Sequence, residues 1–221
     1  MKKEFAVIGL GRFGGSICRA LSEEGLRVLA IDIDEERVNE YKNVASYAVV
    51  ADTTDEEALK ELDIQDFDHV IVAIGDDIQA SILTTVILAD LQVKKITVKA
   101  QNDYHEKILN KIGAHFVVHP ERDMGRRIAH SLVSSNILDY LALSEDHSIV
   151  EIRAGKKMDG KSLLDLNVRV KYGCNVVAIQ NQNKEMNVSP HPKDKIIEND
   201  TLIIVGSNED IAKFEKDFIE Q

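Results

Sequence analysis

The sequence predicts an α/β protein with a Rossmann-like parallel sheet in an N-terminal lobe, followed by a small α+β C-terminal lobe. Between Glu4 and about Leu141, short Val/Ile-rich runs alternate with amphipathic stretches, as in successive βαβ units. A glycine-rich turn follows the first run directly. After Leu143 the pattern changes and predicts strands that are separated by short helices.

The N-terminal lobe is predicted from six apolar runs, which are FAVIG, RVLAI, YAVV, HVIVAI, KITVKA and FVVH. Strands that are apolar throughout belong to a parallel sheet that is buried on both faces. Helices are expected to begin near Phe13, Asp34, Asp55, Asp77, Tyr104 and Arg122. Thr54 with Glu57, and Asp103 with Glu106, have the spacing of helix-capping pairs. The last stretch, MGRRIAHSLVSSNILDYLAL, predicts a longer helix.

The C-terminal lobe is predicted from a second pattern. Strands are expected near Ser148, Asn175, Glu185 and Thr201, with a short helix at 161–166 and a closing helix from Asn208. The polar residues Ser144, Glu145 and Asp146 separate the two periodicities. The predicted domains are therefore residues 1–143 and 144–221.

Composition limits the class of protein. The chain has 221 residues, 44% hydrophobic and 29% charged, so we expect a folded globular protein. The formal net charge of −11 argues against broad binding to nucleic acid, and it suits a membrane partner with basic cytoplasmic loops. No apolar run approaches the roughly 18 residues of a membrane span, which indicates a cytosolic protein. Cys18 and Cys174 are expected to be buried free thiols.

The glycine turn carries a dinucleotide-binding fingerprint. Gly9, Gly11 and Gly14 form GxGxxG between a strand and a helix, and Asp32 ends the second strand, followed by Asp34. The glycines allow a tight turn, the approach of a pyrophosphate and close helix packing, and the carboxylate suits ribose hydroxyls. A carboxylate there disfavours NADP, but the pattern leaves NAD and an adenine mononucleotide both open.

Further residues are expected at the same carboxyl edge of the sheet. Arg12, with Phe13 beside it, is placed to bind phosphate oxygens bidentately. Lys99 is placed to neutralise phosphate charge, and Glu121 either to hold a divalent cation beside it or to serve only as a carboxylate favoured by the dipole at a helix start. The strand ends also supply Asp52, Thr53 and Thr54, which would border the adenosine, and the flat backbone of Ala73, Ile74 and Gly75.

The patterns of a catalytic site are missing from the sequence. There is no Tyr-x-x-x-Lys pair and no Ser/His/Asp arrangement, and the second lobe is small for a substrate site. His115 and His119 fall on one predicted strand with no carboxylate or cysteine that completes a metal-ligand set, so a zinc site is not expected. The sequence therefore favours a domain that binds a nucleotide as a regulatory signal. One alternative is an NAD(H)-dependent oxidoreductase or redox sensor. Another is a nucleotide-responsive DNA-binding repressor, but such a protein needs a basic helix-turn-helix, and the sequence shows none.

With these residues in view, the sequence resembles the RCK (KTN/TrkA-type) family of cytosolic regulators of potassium channels and transporters, and within it the Ktr-type gating subunits. The resemblance covers essentially the whole chain and is carried by VIGLGRFGGS, AIDID, VVADTTDEE, VIVAIGDDIQASILTT, VKAQN, HPERDMG and LLDLNVRVKYG. VAIGDDIQAS followed by VKAQN and HPERDMG in that order is the specific part.

The resemblance implies an RCK N-lobe that dimerises through its last helices, an RCK C-lobe, and a homo-octameric ring, a tetramer of dimers. The ring would lie at the inner face of the cell membrane beneath a potassium-translocating subunit. ATP in the fingerprint would favour the open transporter and ADP the closed one. Arg12 would reach the terminal phosphate of the ATP in the neighbouring protomer, and Glu121 would join a cation near the dimer interface.

In the C-lobe, the resemblance implies a site for cyclic di-AMP between two protomers, which inactivates transport. The residues that fall where this site should be are Asn167, Arg169, Asn175, Val176 and Pro190. The family often has an aspartate at the position of Asn167.

Overall fold

A computed structural model describes residues 3–133, 137–144 and 146–218 of the chain. Its contacts divide the chain into two compact units, Met1–Glu121 and Arg122–Gln221. The division lies earlier than the boundary at 143/144 expected from sequence, within the helix that begins at Pro120. Glu145, in the predicted polar gap, lies outside the described residues.

The first unit contains the six predicted strands in one parallel sheet with the order β3-β2-β1-β4-β5-β6. The strands are β1 (Glu4–Ile8), β2 (Arg27–Asp32), β3 (Tyr47–Val50), β4 (His69–Val72), β5 (Ile96–Lys99) and β6 (Phe116–Val118). The helices are α1 (Arg12–Glu23), α2 (Glu35–Tyr41), α3 (Glu56–Glu61), α4 (Ile78–Asp90), α5 (Asp103–Leu109) and α6 (Pro120–Val133). This is the doubly wound order of dinucleotide-binding folds, which confirms the predicted fold class.

The core of the first unit lies on both faces of the sheet because side chains alternate along each strand. Ala6 and Ile8 of β1 belong to one buried cluster, and Val7 belongs to the cluster on the opposite face. Cys18 of α1 packs in the second cluster as a free thiol, as predicted. Burial of each large apolar side chain contributes about 1.5–3 kcal/mol, so the central strands hold the loops at their carboxyl ends in fixed positions.

Four helices of the first unit begin at a side chain that accepts a hydrogen bond from the first turn. Asp55 caps α3 and Asn102 caps α5, in each case one residue away from the predicted Thr54 and Asp103. Asp34 caps α2 and Asp77 caps α4 in the same way. Short polar side chains readily accept hydrogen bonds from the unpaired N–H groups at a helix start. The position of the helix in the fold decides which of two neighbouring polar residues is the cap.

The second unit contains a five-stranded antiparallel sheet with the order β10-β9-β11-β8-β7. The strands are β7 (Ile137–Ala142), β8 (His147–Arg153), β9 (Asn175–Gln180), β10 (Met186–Asn187) and β11 (Thr201–Ser207). The helices are α7 (Leu163–Leu166), α8 (Val168–Tyr172) and α9 (Asn208–Phe218). The buried core includes Cys174, the second free thiol, and Phe214.

Of the helix expected to run on to Leu143, the structure describes α6 as Pro120–Val133, residues 134–136 lie outside the described residues, and Ile137–Ala142 forms strand β7 instead. This strand pairs with β8, and Tyr140 and Ile137 pack against the core of the second unit. The apolar spacing of this segment fits either a helix or a strand, and pairing with β8 decides between them.

Among the described residues, no helix has both the length and the apolar character needed to cross a membrane.

Candidate functional site

A cavity of about 800 Å³ opens at the carboxyl edge of the parallel sheet in the first unit, at the glycine turn after β1. β1 and β4 are neighbours there, and the chain order reverses between them, which is where open α/β sheets bind ligands. The cavity is lined by nearly all of the residues predicted to hold a nucleotide, which are Gly9, Gly11, Arg12, Phe13, Asp32, Asp52, Thr53, Ala73, Ile74, Gly75 and Lys99. Glu121 lines it as well, whereas Gly14 and Asp34 do not.

Two of the glycines are required by close backbone approach. Gly9 has φ +91°, and a Cβ there would lie 2.9 Å from the backbone carbon of Ala73. A Cβ on Gly14 would lie 1.9 Å from the carbonyl oxygen of Gly9. Gly14 therefore has a packing role: the absence of a side chain lets α1 lie close to the turn.

The N-terminus of α1 faces the cavity through Gly11. Gly11 occupies the N-cap position without a side chain to accept hydrogen bonds from the first turn. The nearest neighbour of a Cβ added at Gly11 would be Nη1 of Arg37 at 3.8 Å, so the surface beside the glycine is open. Free N–H groups and the positive end of the helix dipole make this a site for a phosphate.

Asp32 supports the glycine turn in addition to lining the cavity. Its carboxylate is 6% exposed and accepts hydrogen bonds from the N–H groups of Leu10 (2.6 Å) and Asp34 (3.0 Å). A carboxylate has about four acceptor positions, so capacity remains for ribose hydroxyls. The residue that would recognise the ribose therefore also fixes the loop that would bind the phosphates.

Asp34 has a local role in the structure. Its Oδ1 accepts a hydrogen bond from the N–H of Glu36 at 2.9 Å, which caps α2. The guanidinium of Arg37 lies 3.5 Å from Asp34 and 3.8 Å from Asp32. Arg37 lines the cavity and was not singled out from the sequence, although it lies in the first turns of the helix that follows Asp32.

The residues that follow the third strand form another part of the cavity wall. Thr54 donates its hydroxyl (2.7 Å) and its N–H (2.9 Å) to Asp52, and these bonds lower the pKa of that carboxyl. Thr53 is buried, and its hydroxyl pairs with the hydroxyl of Thr84 at 2.9 Å. Asp52 is thus a fixed, ionised acceptor at the rim.

A lysine and a glutamate form the most polar corner of the cavity. Nζ of Lys99 lies 2.5 Å from Oε1 of Glu121, and the lysine side chain is 13% exposed. The hydrogen bond from Lys99 lowers the pKa of Glu121, with a smaller contribution from the charge of Arg12. The space beside Gly75 is also close to this ammonium group, because a Cβ there would lie 3.7 Å from Nζ.

Several other lining residues were not predicted as ligands from the sequence. They are Ile8, Leu10, Ile33, Glu40, Tyr41, Ala51, Asp76, Asp77 and Ala80, in addition to Arg37. Most lie within a few residues of a predicted strand end, so the strand pattern predicts that they are close to the cavity. Whether their side chains point into it depends on how the helices pack.

The residues predicted to bind a second messenger lie in the second unit. Asn167 adopts the left-handed conformation (φ +47°) between α7 and α8, and Arg169 is exposed on α8. Asn175 and Val176 begin β9. The N–H of Leu164 donates to the carbonyl of Pro192 at 2.8 Å, which ties the loop of Pro190 to α7.

Comparisons with known proteins agree with this architecture. The TrkA-N domain family matches residues 5–120 and the TrkA-C domain family matches residues 147–219. Ktr system potassium uptake protein C of Bacillus subtilis (strain 168) is 64% identical over 216 residues, which cover 98% of this chain and 97% of that protein. Ktr system potassium uptake protein A of the same organism is 54% identical over 215 residues, covering 97% of this chain and 96% of that protein.

The fold is also found in solved structures. The crystal structure of the GsuK RCK domain matches with a TM-score of 0.52 and 24% identity, over 97% of this chain and 46% of that one. At this level of identity the likeness concerns the fold. From the two matched domain families and the two Ktr relatives, the chain belongs to the TrkA-type, or RCK, family of potassium-transport regulators, in the group of the Ktr uptake systems.

Proposed function

We propose that this protein is a cytosolic, non-enzymatic gating subunit of a potassium uptake transporter, with ATP in the N-lobe cavity favouring transport and ADP opposing it. The observation that carries the proposal is the charged corner of the cavity. Lys99 and Glu121 form an ion pair beside the glycine turn, and the charge of Arg12 acts on the same glutamate. Such a corner responds to the number of phosphates that the nucleotide brings.

The physical basis is differential affinity. A ligand shifts an assembly between two shapes only as far as it binds one shape more tightly than the other. The terminal phosphate of ATP is the group that ADP lacks, and the guanidinium of Arg12 is exposed at the start of α1, where it can turn towards that phosphate. A contact of Arg12 with the neighbouring protomer's ATP would couple the phosphate count to the relative position of two protomers.

A divalent cation is proposed beside Glu121. Its carboxylate is 69% exposed and is ionised at neutral pH because the Lys99 hydrogen bond lowers its pKa. Hard divalent cations bind carboxylates together with phosphate oxygens. ATP would therefore bring its cation to this position and release Lys99 from Glu121 towards the phosphates.

For the C-lobe we propose cyclic di-AMP as an inactivating ligand at Asn167, Arg169, Asn175, Val176 and Pro190. The support is the family membership together with the exposure of the three polar residues of this set. Arg169 would pair with a phosphate of the ligand, and the left-handed backbone at Asn167 holds its side chain at the junction of two helices.

For the assembly we propose an octameric ring of four dimers beneath a membrane-embedded subunit. Support comes from an exposed apolar stripe on α6, where Met124, Ile128 and Leu132 recur at intervals of four residues and are 50%, 50% and 79% exposed. Such a stripe is typical of a helix that packs against another chain. Its burial in a dimer would make α6 the dimerisation helix.

A second candidate function is an NAD(H)-dependent redox sensor. It is favoured by Asp32, which lies at the end of β2 in a sheet with the dinucleotide-binding order. It predicts tight binding of NADH and weaker binding of ATP.

The test is a calorimetric titration of nucleotide-stripped protein with ATP, ADP, NADH and cyclic di-AMP in turn, with the mass in solution measured alongside. The gating proposal expects ATP and ADP to bind to an octamer more tightly than NADH does. Tight binding of NADH alone to a dimer would overturn it in favour of the redox sensor. Failure of cyclic di-AMP to bind would remove the C-lobe proposal and leave the N-lobe proposal unaffected.

A further inference from the structure

Three side chains with metal-ligating atoms meet outside the nucleotide cavity. They are Asp103 and Glu106 of α5 and His119, which directly follows β6. Their ligand atoms all lie within 4.8 Å of one another. None of the three belongs to the set of residues that line the cavity.

The fold brings these residues together although they are separated in the sequence. Asn102 caps α5, so Asp103 and Glu106 lie in its first turn, three residues apart and on one face. β5 and β6 are parallel neighbours, with Lys99 paired to Val118, so α5 starts at the edge of the sheet where β6 ends. His119 leaves β6 at that edge and meets the ends of the two carboxylates.

The histidine of the cluster is held out of solvent and faces a carboxylate. His119 is 4% exposed, and its Nε2 lies 2.8 Å from Oε2 of Glu106, 13 residues away in the sequence. A divalent ion replaces the proton of such a hydrogen bond when it binds imidazole and carboxylate together. Metal–ligand bonds of about 2.0–2.2 Å then need only small torsional changes, above all of the exposed Asp103.

We propose that Asp103, Glu106 and His119 bind a divalent transition-metal ion of the Zn²⁺ class. One imidazole nitrogen and two carboxylate oxygens suit Zn²⁺ and leave a fourth position for water. Mg²⁺ and Ca²⁺ prefer oxygen ligands alone, so the imidazole selects against them. This inference goes beyond the proposed gating function and concerns a site that is separate from the cation beside Glu121.

The same helix turn holds another buried imidazole. His105 lies between the two carboxylates in the sequence and is 1% exposed. Its Nε2 has no hydrogen-bond partner within the described part of the chain. This nitrogen is not among the ligand atoms that meet in the cluster, so the proposed site consists of Asp103, Glu106 and His119 alone.

The ion would stabilise the connection between β6 and α6. His119 is followed at once by Pro120, the first residue of α6, and by Glu121, which forms the ion pair with Lys99. Fixing the ring of His119 therefore restrains the start of the helix that carries a cavity residue. We expect Zn²⁺ to raise the melting temperature of the full chain even without nucleotide.

The test is a titration of chelator-stripped, nucleotide-free full-length protein with Zn²⁺, followed by calorimetry and by competition with a chromophoric chelator. We expect one ion per chain, with Asp103→Asn and Glu106→Gln each weakening binding by roughly tenfold or more. The surface change Glu23→Gln is the matched control, since it removes one exposed carboxylate elsewhere, and it should bind Zn²⁺ as the parent does. Circular dichroism of the stripped proteins checks that all variants fold.

Three results would overturn this inference. They are the absence of a stoichiometric Zn²⁺ site, binding that survives in both Asp103→Asn and Glu106→Gln, and loss of binding in Glu23→Gln. Since no nucleotide is present, its failure leaves the gating proposal untouched. Conversely, binding of Zn²⁺ at this site by a protein that does not distinguish ATP from ADP would support this inference and overturn the gating proposal.

Discussion

Arg12 is the residue on which discrimination between ATP and ADP should depend. It is exposed at the first position of α1, and its charge lowers the pKa of Glu121 across the charged corner of the cavity. A bidentate contact with a phosphate makes two charge-assisted hydrogen bonds of about 1.5–3 kcal/mol each. Solvent exposure weakens them, so we take about 2 kcal/mol for the pair, which corresponds to roughly 30-fold in affinity.

Arg12→Ala should therefore weaken ATP binding by roughly 30-fold and change ADP binding by less than about threefold. The assay is calorimetric titration of the assembled protein with each nucleotide in the presence of Mg²⁺. Arg19→Ala is the matched control, because it removes the same charge from an exposed position of the same helix, where the guanidinium lies 4.8 Å from the centre of the Tyr41 ring. Its ATP and ADP affinities should stay equal to those of the parent.

Equal weakening of ATP and ADP in Arg12→Ala would refute this reasoning, because it would place Arg12 on a phosphate that both nucleotides share. Unchanged binding of both would place the side chain in solvent. A fall in melting temperature would show a structural role, so the melting temperature is measured on the same samples.

Three further outcomes are expected. Gly14→Ala should abolish ATP binding and lower the melting temperature by calorimetry, because its Cβ would lie 1.9 Å from a carbonyl oxygen, while Gly125→Ala, with nothing within 4 Å, should not. The stability advantage of the parent over Glu121→Gln in urea unfolding should be present at neutral pH and vanish as acid protonates the carboxyl, because its folded pKa is lowered. Burial raises the pKa of Cys18, and that of Cys174 to about 11, so a thiol reagent should label neither until denaturant is added.

Much of the first unit could be predicted because its signals are local. Each parallel strand is a short run of apolar residues, and the positions of Gly9 and Gly11 follow from the spacing of the turn itself. The structure places both residues in the lining of one cavity. Asp34 could not be assigned in the same way, because a carboxylate after a strand suits either a ribose or a helix start, and only the position of α2 brings it to the N–H of Glu36.

The sequence by itself determined the order of the strands and helices of the first unit, the glycine turn and its acidic partner Asp32. These depend on side-chain periodicity and backbone freedom over a few residues. Tertiary structure decided that Ile137–Ala142 is a strand, because its hydrogen bonds go to β8, and that Arg37 lies over the cavity. It alone brought His119 to Glu106, since contacts between residues far apart in sequence arise from the packing of the sheet and leave no local pattern.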